Sequence, residues 1–196
     1  MLYTIWYDSP VGKLLLAEKN GALAGLWIQG QKYFPDALQK DMREKGDSEI
    51  LNRTKDWLDR YFRGEKPLIR ELALAPEGSE FRKEVWKLLC EIPYGEVTTY
   101  SRLSQKIAAG RGLAHMSAQA VGGAVGHNPI SIIIPCHRVV GTNGSLTGYA
   151  GGLDRKIRLL QMEGVNTEHM FVPKERRTRT YESVPDPACG RRRGNQ

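Results

Sequence analysis

The sequence predicts a small α/β unit followed by a mostly helical unit, and three observations predict it. β-rich runs separated by turn residues fill the first 28 positions. Apolar residues at helical spacing dominate from residue 50 onward. The stretch Ala75-Pro76-Glu77-Gly78-Ser79 has the composition of a linker. The expected organisation is 1–75 for the α/β unit, 79–166 for the helical unit and 167–196 for a basic tail. A chain of 196 residues accommodates both units, since domains run from about 50 to 200 residues.

Taken in order, Tyr3–Tyr7, Leu14–Glu18 and Ala22–Ile28 read as strands, punctuated by Ser9-Pro10-Val11-Gly12 and Lys19-Asn20-Gly21. A helix is expected from about Phe34 to Lys45. The next is clearer: Ile50, Leu51, Thr54, Trp57, Leu58, Tyr61 and Phe62 recur along one helical face. Gly64 and Pro67 stop it, and Leu68–Leu74 reads as a further strand. Past the linker, Ser79 caps a helix that turns Phe81, Val85, Leu88 and Leu89 inward. Cys90 closes that helix and reads as a small buried apolar residue. Ile92-Pro93-Tyr94-Gly95 breaks the chain, and Thr98 or Thr99 caps a helix from Tyr100 to about Ala108. After the loop Gly110-Arg111-Gly112, another helix runs from Ala118 to Gly126 behind Ser117. Residues 170–196, with Arg176, Arg177, Arg179 and Arg191-Arg192-Arg193, lack apolar periodicity. They read as a disordered or loosely docked extension that leaves Cys189 exposed.

Composition narrows the function classes. With 40% hydrophobic residues, 4 Trp, 8 Tyr and 4 Phe, the chain can bury a core, which argues against a disordered protein. No apolar run approaches the roughly 18 residues of a membrane helix, and MLYTIWYDSP lacks the regions of a secretory signal. Cys90, Cys136 and Cys189 are few and far apart, which suits a reducing compartment and gives no zinc spacing. A soluble, cytoplasmic, monomeric protein is the expectation, with no cofactor, no metal and no membrane partner. The net charge of +7 is uneven: residues 1–78 balance, 79–166 carry +4 and 167–196 carry +3. A polyanionic partner would dock on the later part, although basic surfaces are common.

Two short helices across a Gly-containing connection fit a helix-turn-helix, and equally an ordinary helical hairpin. Ala118, Ala120, Gly122, Gly123 and Ala124 make the second helix thin, which suits close approach in a minor groove better than a bulky major-groove reader. Beyond Asn128-Pro129, the run Ile130-Ser131-Ile132-Ile133-Ile134 reads as a buried strand leading into Pro135-Cys136-His137-Arg138. A Cys next to a His is a candidate thiolate site, because an imidazole can take the thiol proton. Strand neighbours face opposite ways, so the pair would communicate through a bridging water once Pro135 turns the chain. A structural Cys beside a surface His has the same pattern.

The run Ile134-Pro135-Cys136-His137-Arg138-Val139-Val140 resembles the active-site signature of the O6-alkylguanine-DNA alkyltransferases. The resemblance extends through Phe81–Trp86 with Leu88-Leu89 and Ile92-Pro93-Tyr94-Gly95-Glu96-Val97-Thr98-Thr99-Tyr100. It continues in Ala120-Val121-Gly122, Asn128-Pro129 and Gly148-Tyr149-Ala150-Gly151-Gly152-Leu153, then Lys156, Leu159-Leu160 and Glu163-Gly164. These motifs stand in the family's order over about residues 79–166. The resemblance implies a ribonuclease-H-like α/β N-terminal domain and a mostly helical C-terminal domain with a winged helix-turn-helix-like unit. It implies direct-reversal repair of double-stranded DNA, in which Cys136 takes the alkyl group from O6 of a flipped guanine, or O4 of thymine, once and irreversibly.

It also implies roles. His137 would draw the Cys136 proton through a water, Glu163 would orient and charge-stabilise His137, and Asn128 would brace the turn. Tyr100 would hydrogen-bond the guanine and protonate the departing purine. Backbone groups of Cys136, Val139 and Ala150 would read the base edge, and Tyr149 would wall the pocket. The sulfur is expected to be poised, unprotonated, at the floor of a cavity. One position departs from the family: where an arginine commonly fills the space left by the flipped nucleotide, this chain has Gln119. Arg111 in the longer Ala108–Met116 connection, with His115, is expected to compensate by contacting DNA. Some relatives bind zinc through their N-terminal part, but residues 1–78 contain neither Cys nor His. A non-enzymatic lesion-binding or regulatory relative is the alternative, against which Cys136 itself argues. A cysteine hydrolase would have no use for the basic half.

Overall fold

The structure, a computed structural model, describes residues 1–35, 42–44 and 48–173. Strands β1 (Leu2–Ser9), β2 (Gly12–Lys19) and β3 (Ala22–Ile28) form an antiparallel meander, and β4 (Met42–Glu44) joins the far edge parallel to β1. The expected helix over 34–45 is therefore corrected at 42–44, where Leu2 pairs with Met42 and Thr4 with Glu44. Helix α1 (Glu49–Phe62) starts at Ser48, whose hydroxyl accepts from Leu51 N. It buries Ile50, Leu51, Trp57, Leu58 and Tyr61, the face that the periodicity marks. Leu68–Leu74 is not a strand. Residues Ile69–Glu71 form a 3-10 turn because the Glu71 carboxylate accepts the Leu68 N–H at 2.7 Å, and Leu74 alone bridges Leu23.

Helices α2 (Glu80–Leu89), α3 (Tyr100–Gly110) and α4 (Ala118–Gly126) make the second unit, with α5 (Leu153–Met162) behind them. Ser79, Thr99 and Ser117 cap the first three through hydroxyls that accept from Arg82, Arg102 and Ala120 N–H groups. The two-residue strands β5 (Thr98–Thr99) and β6 (Val139–Val140) pair in parallel. Trp86 locks α2 to α4 by donating its indole N–H to Ala124 O at 2.9 Å.

The run 130–134 is buried, as expected, but it is a turn and not a strand. Asn128 explains the difference: its side chain accepts the Ile130 N–H and donates to Ile134 O, while Ile134 N closes on Ile130 O. Ile132 adopts φ +71 within this loop. The edge of β3 meets this turn, with Leu26 N donating to Pro129 O and Ser131 N to Leu26 O, both at 2.9 Å. One apolar core then runs from Leu14, Leu16 and Leu26 through Trp57 and Trp86 to Ile133, Cys136 and Leu159. The tail begins docked: Leu146 N donates to Phe171 O at 2.8 Å. Arg176 to Arg193 and Cys189 lie outside the described residues. Among the described residues no helix is long and apolar enough to cross a membrane.

Candidate active site

Proline on both sides of the 130–134 turn, and the Asn128 amide inside it, deliver Cys136 to the start of a buried 3-10 turn, Cys136–Arg138. Asn128 Nδ2 donates to Cys136 Sγ at 3.2 Å and to Ile134 O at 2.7 Å, so one amide fixes both the loop and the sulfur. Burial pushes the Cys136 thiol up. The Asn128 hydrogen bond, the Lys156 charge and the backbone N–H groups of Cys136 and His137 favour the ionised sulfur without overcoming that burial. Burial therefore works against the expected resting thiolate, while the cradle around the sulfur favours it.

His137 is fully buried, and its Nε2 meets Glu163 Oε1 at 2.7 Å. A carboxylate only accepts, so Nε2 carries the proton and Nδ1 presents a lone pair. Nδ1 has no hydrogen-bond partner among the described residues. Burial pushes His137 down, so the imidazole is neutral despite its acidic neighbour. Arg138 acts in the same direction, neutralising Glu163 with Nε on Oε2 at 2.8 Å and Nη2 on Oε1 at 2.9 Å. Burial opposes ionisation of Glu163, but the hydrogen bonds from His137 and Arg138 outweigh it and hold the carboxyl well below its usual range. Gly95 N and the Tyr61 hydroxyl complete the shell at 3.2 and 2.6 Å.

The Tyr149 ring stands edge-on to His137 with centroids 6.5 Å apart. Its buried hydroxyl has no hydrogen-bond partner among the described residues. Tyr100 Oη donates to Thr147 O at 2.9 Å, beside Gly148, where a Cβ would lie 2.9 Å from that oxygen. Only glycine fits there, with φ +72. Buried Lys156 binds the same Thr147 O at 3.1 Å and Val139 O at 2.5 Å, joining the segments that carry Tyr100's partner and Val139. Burial brings its ammonium down to about 8. Ala150 O accepts from Lys32 N at 2.9 Å, at a cavity of about 670 Å³ bounded by Gly30, Lys32, Tyr149, Ala150, Gly152 and Arg155.

Two bonded pairs thus meet at neighbouring residues, Asn128 with Cys136 and Glu163 with His137, with the Tyr149 ring near His137 and Tyr100 tied through Thr147 and Lys156 to Val139. Gln119 and His115 are exposed. Arg111 pairs with Glu84 at 2.7 Å and lies over the Phe81 ring, so its charge is already engaged. Sequence reasoning missed Arg138 and Tyr61. Arg138 could have been found as the one permanently charged residue of an otherwise apolar segment, since burial there needs a counterion for it; nothing local marks Tyr61, which bonds across 102 positions.

A sheet unit and a helical unit closed over a buried cysteine, imidazole and carboxylate define a two-part protein built around one thiol. Residues 1–76 match the family described as 6-O-methylguanine DNA methyltransferase, ribonuclease-like domain, and residues 80–165 match its DNA binding domain. The chain belongs to the 6-O-methylguanine DNA methyltransferase family. It is 38% identical to a methylated-DNA–protein-cysteine methyltransferase of Haemophilus influenzae, over 88% of this chain and 97% of that one. A Methanosarcina barkeri protein of the same name is 41% identical, over 85% and 99%. The crystal structure of Mycobacterium tuberculosis OGT in complex with DNA superimposes with a TM-score of 0.72 at 39% identity, covering 83% of this chain and 93% of that one.

Proposed function

We propose that this chain repairs alkylated double-stranded DNA directly, moving the alkyl group from O6 of guanine onto Cys136 as a single-turnover methylated-DNA–protein-cysteine methyltransferase. The observation that carries it is the pairing, on adjacent residues, of Cys136 held by Asn128 with His137 held by Glu163, whose Nδ1 has no hydrogen-bond partner among the described residues. In this reading the thiol proton passes through a water to His137 Nδ1, and Sγ attacks the alkyl carbon. The C–S bond forms as the C–O6 bond breaks. Tyr100 donates a proton to the departing purine, which spares it from leaving as an anion, and solvent later restores both protonation states. A thioether is not hydrolysed, so each molecule acts once.

The substrate base must leave the duplex to reach so buried a sulfur, at a cost of a few kcal/mol. The exposed face of α4, with Gln119, Ala120 and Gly123, carries small side chains that suit a minor groove, and Gln119, exposed in its first turn, would hydrogen-bond the orphaned base in the space the flipped nucleotide leaves. Arg111 joins the DNA contact only by exchanging Glu84 for phosphate; Arg111→Ala would then lower affinity and the salt slope. Val139 O, Ala150 and Tyr149 line the base, and the protein works as a monomer.

Intact mass measured before and after incubation with a duplex carrying O6-methylguanine tests the reading. A persistent gain of one CH2 per chain, absent in Cys136→Ser, is expected. Tight binding with no mass change would instead favour a lesion-binding protein, and turnover without an adduct a hydrolase.

A further inference from the structure

Tyr61 belongs to the sheet unit, yet its hydroxyl ends in the site of the helical unit. It donates to Glu163 Oε1 at 2.6 Å, and that same oxygen receives His137 Nε2 at 2.7 Å and Arg138 Nη2 at 2.9 Å. The donor is buried and aimed by its surroundings. The Trp57 ring stacks on it at 5.4 Å and 10°, while Phe62 and Tyr94 meet it edge-on. Trp57 is anchored in turn by its indole N–H on Leu68 O at 3.0 Å. α1 therefore presents a fixed phenol to the carboxylate.

We infer that Tyr61 is a positioning residue for alkyl transfer, through which the sheet unit holds Glu163 in register with His137. The inference rests on Cys136 being the nucleophile. Its chemistry is that of a shared acceptor. Three donors on one oxygen define where that oxygen sits, and each one draws off negative charge that would otherwise act on the imidazole. Without the phenol, Glu163 has one restraint fewer and attracts the Nε2 proton more strongly. His137 then becomes easier to protonate, and a protonated imidazole cannot accept the thiol proton. The groups facing this pair are Arg138, Tyr94, Lys156, Cys136, Tyr149 and Tyr61 itself, and only the last is altered.

The test is Tyr61→Phe in the full chain, with single-turnover transfer from a duplex carrying O6-methylguanine followed against pH and DNA concentration. The expected result is a fall of roughly tenfold in the maximal rate constant, from the loss of one hydrogen bond to a charged group. Half-saturating DNA should be unchanged, and the acid limb of the pH–rate profile should move to higher pH. Trp57→Phe, which loosens α1 but keeps the phenol, serves as the packing control. If Trp57→Phe moved the acid limb as far as Tyr61→Phe, or if Tyr61→Phe moved it not at all, Tyr61 would be packing only. Failure of the wild type to gain a CH2 at Cys136 would overturn the underlying reading instead, so the two failures are distinct.

Discussion

Cys136 is pushed up by burial from an ordinary thiol value of 9.0, and Lys156, in the same pocket, is pushed down from 10.5 to about 8. Their effects on stability have opposite signs. A thiol harder to ionise when folded contributes stability below pH 9, and that contribution is lost as the pH rises past it, because only the unfolded chain gives up the proton. For Lys156, between about 8 and 10.5 the unfolded chain holds the proton more tightly, so stability rises with pH over that window. Cys136→Ser removes the first effect and keeps the second. Urea unfolding at stepped pH should therefore find a constant difference between wild type and Cys136→Ser below about pH 8. Above pH 9 the wild type should lose ground steadily. A difference that stays flat to pH 10.5 would mean that the Cys136 thiol ionises as easily folded as unfolded.

At the scale of elements, what the sequence made legible follows from how local each cause is. α1 and α4 were readable because a 3.6-residue period and a cap sit inside the element itself. The 130–134 run was readable as buried but not as a turn, since a single side chain, Asn128, supplies the hydrogen bonds a neighbouring strand would have given. β4 looked helical because pairing with β1, not its own residues, makes it a strand. The site divides the same way. Cys136, His137 and Glu163 were found through a motif, whereas Tyr61 arrives through packing of a distant helix. α4 also carries a prediction. A Cβ at Gly123 would meet nothing within 4 Å, and the residue is exposed, so only a partner can require it to be glycine. Gly123→Leu should raise thermal stability slightly, as replacing a mid-helix glycine is worth about 0.5–1 kcal/mol. Affinity for duplex DNA should nonetheless fall by roughly tenfold or more, as a bulky side chain blocks a narrow groove. Unchanged binding in a fluorescence-anisotropy titration would remove α4 from the interface.

At the scale of the whole molecule, the linker near residue 77 divides the sequence but not the core. The β3 edge is hydrogen-bonded to the 129–131 turn, Gln31 Oε1 accepts from Ser131 Oγ at 3.2 Å, and Tyr61 reaches Glu163. Cutting these contacts would strand a buried carboxylate and an open sheet edge, so the two units should unfold as one. Arg138→Met tests this from the ionic centre. Removing the guanidinium leaves Glu163 buried with only neutral donors, and breaking a buried pair this way costs about 3–5 kcal/mol. Arg138, His137 and Glu163 all belong to the helical unit, so an independent sheet unit would not feel the change. Coupled unfolding predicts that the slowest-exchanging amides of β2 and of α2 lose protection by the same amount in Arg138→Met, measured by native-state hydrogen exchange. Loss confined to α2, with β2 protected as before, would mean that the shared core transmits nothing and that the Tyr61–Glu163 bond joins two separately stable bodies.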